Sequence, residues 1–192
     1  MLKKLYDWTL GLARSPYAMW GLAFVAFVES SVFPIPPDIL MIPMIIAMPH
    51  RAFLIATVAL ASSVAGGALG YVIGWGLFES VGRPVLEFYH MTDKFGAFAE
   101  RYNEFGPWAV LIAGVTPFPY KVITILSGST GLNFWVFMVA SLIARGLRFY
   151  VVAALLWKFG EPIRDFIERR LGLMFVLFVI LLIGGFYAVK YL

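Results

Sequence analysis

The chain is 192 residues long, 61% hydrophobic and only 14% charged, with a mean hydropathy of +0.87, a balance that a soluble domain cannot keep in solution. A net charge of +4 spread over scattered basic residues argues against a nucleic-acid partner and for anionic lipid headgroups. The absence of cysteine excludes disulfides, thiol nucleophiles and thiolate metal sites.

Residues 1–16 begin Met-Leu-Lys-Lys, and Arg14 and Pro16 interrupt the apolar run with no small-residue cleavage site after it. They are expected to form an uncleaved interfacial helix. Residues 18–78 make a first unit. Ala18 to Met48 is long enough to span at ~20 residues per crossing, yet it carries Glu29, Asp38 and prolines at 34, 36, 37, 43 and 49. A straight helix cannot pass that many prolines. The break at Pro34, Pro36 and Pro37 therefore predicts two half-helices in a re-entrant hairpin, whose freed backbone groups stay inside protein or beside water. Ala52 to Phe78 carries no charge and reads as a full crossing. Along it Gly66, Gly70 and Gly74 recur every four residues, with Ser62 one step earlier, a small-residue stripe for helix packing that would accept the first broken hairpin.

Residues 79–105 are polar, with Phe88, Tyr89, Phe95 and Phe98 interleaved among charges, the pattern of an amphipathic segment lying on the membrane surface. Residues 106–157 follow the order of the first unit. An apolar stretch is broken at Pro117 and Pro119, a small-residue turn holds Gly128 and Gly131, and a crossing runs from Asn133 to Trp157. Residues 158–192 complete a single membrane domain with a charged loop to Arg170 and a last charge-free crossing, Leu171 to Val189. Trp20, Trp75, Trp108, Trp135 and Trp157 fall near the ends of crossings, as an aromatic belt would.

A fixed shift lays Pro34 on Pro117, Pro36 on Pro119 and Asp38 on Lys121. One surface segment between the units would make the second enter from the opposite side, giving inverted repeats around a midplane site. The expected architecture is an all-α polytopic membrane protein of two inverted repeats. Each is a Pro-broken re-entrant hairpin followed by a transmembrane helix, and an N-terminal interfacial helix and a C-terminal transmembrane helix are added to them. Lys3, Lys4, Arg14, Arg51, Lys158, Arg164, Arg169 and Arg170 fall on one side, against Arg83, Lys94, Arg101 and Lys190 on the other, which puts the N-terminus in the cytoplasm.

Five ionisable residues, Glu29, Asp38, Lys121, Arg145 and Arg148, interrupt these apolar stretches. Each costs ~2.5 to 3.5 kcal/mol at a bilayer centre, so each must pair, face water or handle a charged cargo. Arg145 and Arg148 share a helix face, and Arg145 is too deep to snorkel. A guanidinium pair suits a lipid phosphate, to which Lys121 would add a point charge. Burial and cationic neighbours pull the protonation of Glu29 and Asp38 in opposite directions, so either can carry protons. Two plainer readings compete: Asp38 caps the half-helix after Pro37, and the cations only neutralise the acids. Three cations against two acids leave one positive charge for an anion. His50 and His90 lie far apart and outside any metal-binding spacing. No nucleotide motif, dinucleotide fingerprint or nucleophile triad indicates a cofactor or an enzyme.

Glu29 followed by Phe33-Pro34-Ile35-Pro36-Pro37-Asp38, Gly70-Tyr71-Val72-Ile73-Gly74, Pro117-Phe118-Pro119-Tyr120-Lys121, then Gly128 and Arg145, resemble the DedA superfamily, also called the SNARE-associated or VTT-domain family, and most of all its YqaA branch. The resemblance covers roughly residues 18 to 160. It implies two opposed re-entrant hairpins in a bacterial inner membrane protein that moves lipids between leaflets, as a flippase or scramblase of phospholipid or undecaprenyl phosphate, often tied to the proton motive force. The family's acidic pair would fall on Glu29 and Asp38. Its second motif would fall around Val115 to Lys121, where the leading Arg is absent and the trailing base is Lys121. Arg145 and Arg148 would compensate from the neighbouring helix. A proton-coupled small-ion antiporter and a non-transporting assembly factor are the alternatives, and the number of copies in the membrane is left open.

Overall fold

The computed structural model describes residues 17–33, 36–116 and 119–189. The interfacial helix expected over 1–16 and the break residues Pro34 and Pro117 lie outside them. Among the described residues the chain forms seven α-helices and no strand. Helix α1, Ala18–Ser31, ends before the first proline cluster, and α2, Asp38–Ala47, restarts directly after Pro37, where a fixed φ and a missing N–H cost least. A 3-10 turn, Pro49–Arg51, leads into α3, Ala52–Leu77. At ~1.5 Å per residue α3 is ~39 Å long, enough to span a bilayer core. A π turn over Phe78–Gly82 and the short α4, Arg83–Phe88, precede a reversal at His90, whose φ of 53° is left-handed. Then come α5, Thr92–Val115, the second break, α6, Tyr120–Ser129, and α7, Phe134–Val189. The order helix, break, helix, turn, long helix thus occurs twice.

Two expected boundaries move. The surface segment 79–105 and the second unit are not separate, because α5 starts at Thr92 and continues through Pro107 to Val115. The charged loop expected over 158–170 is helical, and the last crossing is not a separate helix, since α7 runs unbroken for 56 residues with Pro162 inside it. The physical reason is in the charges themselves. Arg164 to Glu168 and Asp165 to Arg169 are opposite-sign pairs four apart, a spacing that supports helix rather than loop.

Helix α3 is the central element, packing against α1, α6 and α7, while α2 and α5 also pack on α7. One buried cluster joins Leu22, Met41, Met44, Ile45, Ile55 and Phe149 across α1, α2, α3 and α7. A second joins Tyr102, Val110, Tyr120, Ile123, Leu132 and Phe137 around α5, α6 and α7. The outward faces are apolar too. Phe24, Val72, Leu77, Ile112, Ile143 and Leu147 are exposed, as are Trp20, Trp75, Trp108, Trp135 and Trp157. Such a surface suits lipid rather than water. Two helical stretches, Pro49–Phe88 and Phe134–Gly160, are long and apolar enough to cross a membrane.

The turn before α7 is tightly made. Gly131 takes φ +70°, and the N–H groups of Gly131 and Leu132 bond the carbonyls of Gly128 and Ser127, the αL closure that ends a helix. This is the tight turn expected around Gly128 and Gly131. Asn133 then caps α7, its Oδ1 accepting from the N–H of Trp135 at 3.0 Å and of Val136 at 3.2 Å. Asn133→Ala is expected to cost about 1 kcal/mol, measured as a small fall in the thermal midpoint of the purified protein.

Candidate functional site

Four of the five ionisable residues form two pairs, and the fifth, Lys121, meets the end of α1. Glu29 lies in the last turn of α1, and Asp38 is the first residue of α2. Lys121 lies in the first turn of α6, and Arg145 and Arg148 share a face of α7. Arg145 is fully buried. Its Nη2 donates to Glu29 Oε2 at 2.6 Å, and its Nε donates to Ser63 Oγ at 2.7 Å. Ser63 Oγ is also 2.7 Å from Ser30 Oγ, which donates to the same Glu29 oxygen at 3.1 Å. The guanidinium carbon sits 4.6 Å from the centre of the Tyr120 ring and 4.8 Å from that of Phe149, so aromatic faces take over where water would otherwise solvate the charge. Glu29, Ser30, Ser63 and Arg145 form one closed polar cluster drawn from α1, α3 and α7.

The second pair is more open. Arg148 Nη2 donates to Asp38 Oδ2, and Nη1 donates to the Thr116 carbonyl at 3.3 Å. Both side chains are about one-fifth exposed. Asp38 therefore does not cap α2: Pro37 stands at the cap position with no side-chain bond there. Asp38 still complements the helix dipole from the first turn, while its carboxylate reaches across to α7.

Lys121 has no carboxylate within ion-pair distance among the described residues. Its exposed ammonium donates to the Val32 carbonyl at 3.1 Å. Thr124 Oγ1, one turn along α6, donates to the Ser30 carbonyl at 3.0 Å. These are the orphan carbonyls at the end of α1, and a cation there also suits the negative end of the helix dipole. The shift that lays Asp38 on Lys121 does not make them partners. Asp38 goes to Arg148, and Lys121 completes α1.

The small-residue stripe seats both broken pairs. A Cβ at Gly66 would fall on the backbone of Phe27 in α1, and one at Gly74 on the backbone of Ile125 in α6. One at Gly70 would meet Thr124 and the Ser30 carbonyl together. From the other side, a Cβ at Gly128 would fall on the Tyr71 carbonyl. The α3 hydroxyl that joins the ionic cluster is Ser63, three residues before Gly66. It is not named from sequence, where Ser62, four residues before Gly66, is taken as part of the packing stripe. Ser30, Tyr120 and Thr124 were not singled out as site residues. Their signal was adjacency to Glu29 and Lys121, which pattern alone does not separate from ordinary helix content.

Among the described residues no group of three or more histidine and acidic side chains could hold a metal ion. One acid–base pair is sealed among α1, α3 and α7 and a second, partly exposed, joins α2 to α7, inside a bundle whose outer faces are apolar. That combination defines an all-helical integral membrane protein with a buried ionic site. Residues 33–158 match the family described as VTT domain, and the chain belongs to this VTT, or DedA, family of membrane proteins. It is similar to an uncharacterized protein of Haemophilus influenzae, 33% identical over 168 residues that cover 85% of this chain and 87% of that one. It is also similar to an uncharacterized protein of Histophilus somni, 35% identical over 168 residues with the same coverage. No solved structure matches the chain significantly.

Proposed function

We propose that the chain is a lipid translocase, a flippase or scramblase that carries the headgroup of an anionic phospholipid or of undecaprenyl phosphate across the inner membrane. The observation that supports this reading most is the charge imbalance at the breaks. Glu29 and Asp38 are each taken by an arginine, and Lys121, exposed at the second break, has no acidic partner among the described residues. A phosphate supplies the missing negative charge. Lys121 and the partly exposed Arg148 would bind it first, while lipid tails stay in the bilayer and only the headgroup follows the polar path.

Arg145 is the deeper ligand in this scheme. It is held by Glu29, and protonation of Glu29 would release its guanidinium for a phosphate oxygen; Asp38 would release Arg148 in the same way. Carboxylate and phosphate then compete for the same donors, which links lipid movement to protons without a nucleotide. The two units are read here as inverted repeats, with α1–α2 and α5–α6 as opposed re-entrant hairpins and the N-terminus cytoplasmic.

Headgroup exposure in proteoliposomes tests the reading. Lys121→Ala and Arg148→Ala are each expected to slow translocation of a polyprenyl phosphate or an anionic phospholipid about tenfold or more, the worth of one charged hydrogen bond. Wild-type rates in both variants would refute the site. Proton-driven ion flux in vesicles without lipid movement would favour the antiporter instead.

A further inference from the structure

The hydroxyl oxygens of Tyr120 and Ser141 are both fully buried and have no hydrogen-bond partner among the described residues. Leaving a hydroxyl unpaired in an apolar interior is costly, and here two such groups face each other without a hydrogen bond of normal geometry. They stand beside a third polar group with capacity to spare. The Arg145 guanidinium carries five N–H donors, and its bonds among the described residues go to Glu29 and Ser63. Ser141 precedes Arg145 by one turn on the same face of α7. The Tyr120 side chain extends from α6 towards that face, bordered by two glycines. A Cβ at Gly67 of α3 would come 3.4 Å from its ring and 3.5 Å from its hydroxyl, and one at Gly114 of α5 would come 3.8 Å from its ring.

We infer that Tyr120, Ser141 and Arg145 form an internal water-binding site. A buried water makes about three hydrogen bonds, and this site offers that set: two hydroxyls able to give or take, and a cationic donor. The inference rests on the proposed proton-linked reading. When Glu29 takes up a proton, its negative charge disappears and Arg145 remains as a buried cation. Water bonded to Arg145 solvates that cation, so that protonation of Glu29 does not leave a bare charge in the interior. The charged and titratable groups around the site are Glu29 from α1, Asp38 from α2, Tyr102 from α5, Lys121 from α6 itself, and Arg145 and Arg148 from α7. Helix α3 faces it with the Ser63 hydroxyl and Gly67.

Hydroxyl-radical footprinting of the whole protein in detergent reads bound water directly, because radicals generated from an internal water modify the side chain touching it. Tyr120 is expected to be modified at least several-fold faster than Phe137, an equally buried ring, and Ser141→Ala is expected to lower that rate. Tyr120→Phe and Ser141→Ala each remove one of the water's partners, so each should lower the thermal midpoint slightly. Both should slow transport and shift its pH profile. If Tyr120 is as silent as Phe137, and the double variant keeps the wild-type pH profile, the water site does not exist. If Tyr120 is labelled but wild-type transport is independent of pH, the water site stands and the proton-linked reading of Glu29 fails.

Discussion

Arg145→Ala is expected to lower the thermal midpoint of the purified protein more than any other single substitution at the ionic site. It leaves Glu29 as an unpaired carboxylate in a closed cluster, and breaking a buried pair from one side costs ~3–5 kcal/mol. For a chain of this size that corresponds to roughly 6–20 °C. The loss comes from the orphaned charge rather than from the worth of the pair, which the double variant separates. Glu29→Leu with Arg145→Met replaces both charges by apolar groups and is expected to recover most of the stability while leaving translocation abolished. Arg148→Ala should destabilise less, because Asp38 is about one-fifth exposed and can be hydrated. Thermal unfolding of the three variants in one detergent checks the order. A midpoint for Arg145→Ala within a degree or two of wild type would mean that Glu29 and Arg145 are not paired in the folded protein.

Gly74→Val is expected to dislodge α6 from α3. The contact there is backbone against backbone. Gly74 lies on the Ile125 carbonyl, and Gly128 lies reciprocally on the Tyr71 carbonyl, so no rotamer change can make room for a side chain. Overpacking of a close-packed interior costs ~1–3 kcal/mol when neighbours can adjust, and here only whole helices can. Since α6 supplies Lys121, Thr124 and Tyr120, the substitution should also abolish transport. Gly76→Ala is the internal control. It lies on the same helix with nothing within 4 Å of an added Cβ, and alanine is the better helix former by ~1 kcal/mol, so its stability should equal or exceed wild type. Comparable losses at both positions would mean that the close approach of Gly74 to Ile125 is not what limits the size of the residue there.

The parts of the fold legible in the sequence are those written in local chemistry. Proline clusters stopped α1 before the first break, and the uncharged run over Ala52 to Phe78 became α3 with a turn at its end. Four of the five misplaced charges pair across helices, Glu29 with Arg145 and Asp38 with Arg148. What local pattern could not supply was partner choice. Glu29 and Arg145 are 116 residues apart in the chain, and nothing in their surroundings says that Asp38 prefers Arg148 to Lys121. That preference follows from α2 packing on α7, whereas Lys121 meets the end of α1. The stretch 158–170 was misread for a related reason: charge density suggests a loop, yet charges spaced four apart are compatible with helix, and spacing prevailed over density.

The hydrogen bonds that finish α1 have a consequence for how the protein is made. The Val32 and Ser30 carbonyls are bonded by side chains 89 and 94 residues further along. During synthesis at ~5–20 residues per second, the first helix would wait ~5–20 seconds before those donors emerge. Throughout that interval its last turn, and the Glu29 carboxylate within it, need hydration or a temporary host, since hydrocarbon can supply neither. The first half of the chain is therefore an incomplete insertion intermediate. It should linger at the membrane surface or beside the insertion machinery, and enter the bilayer fully only once its second half arrives.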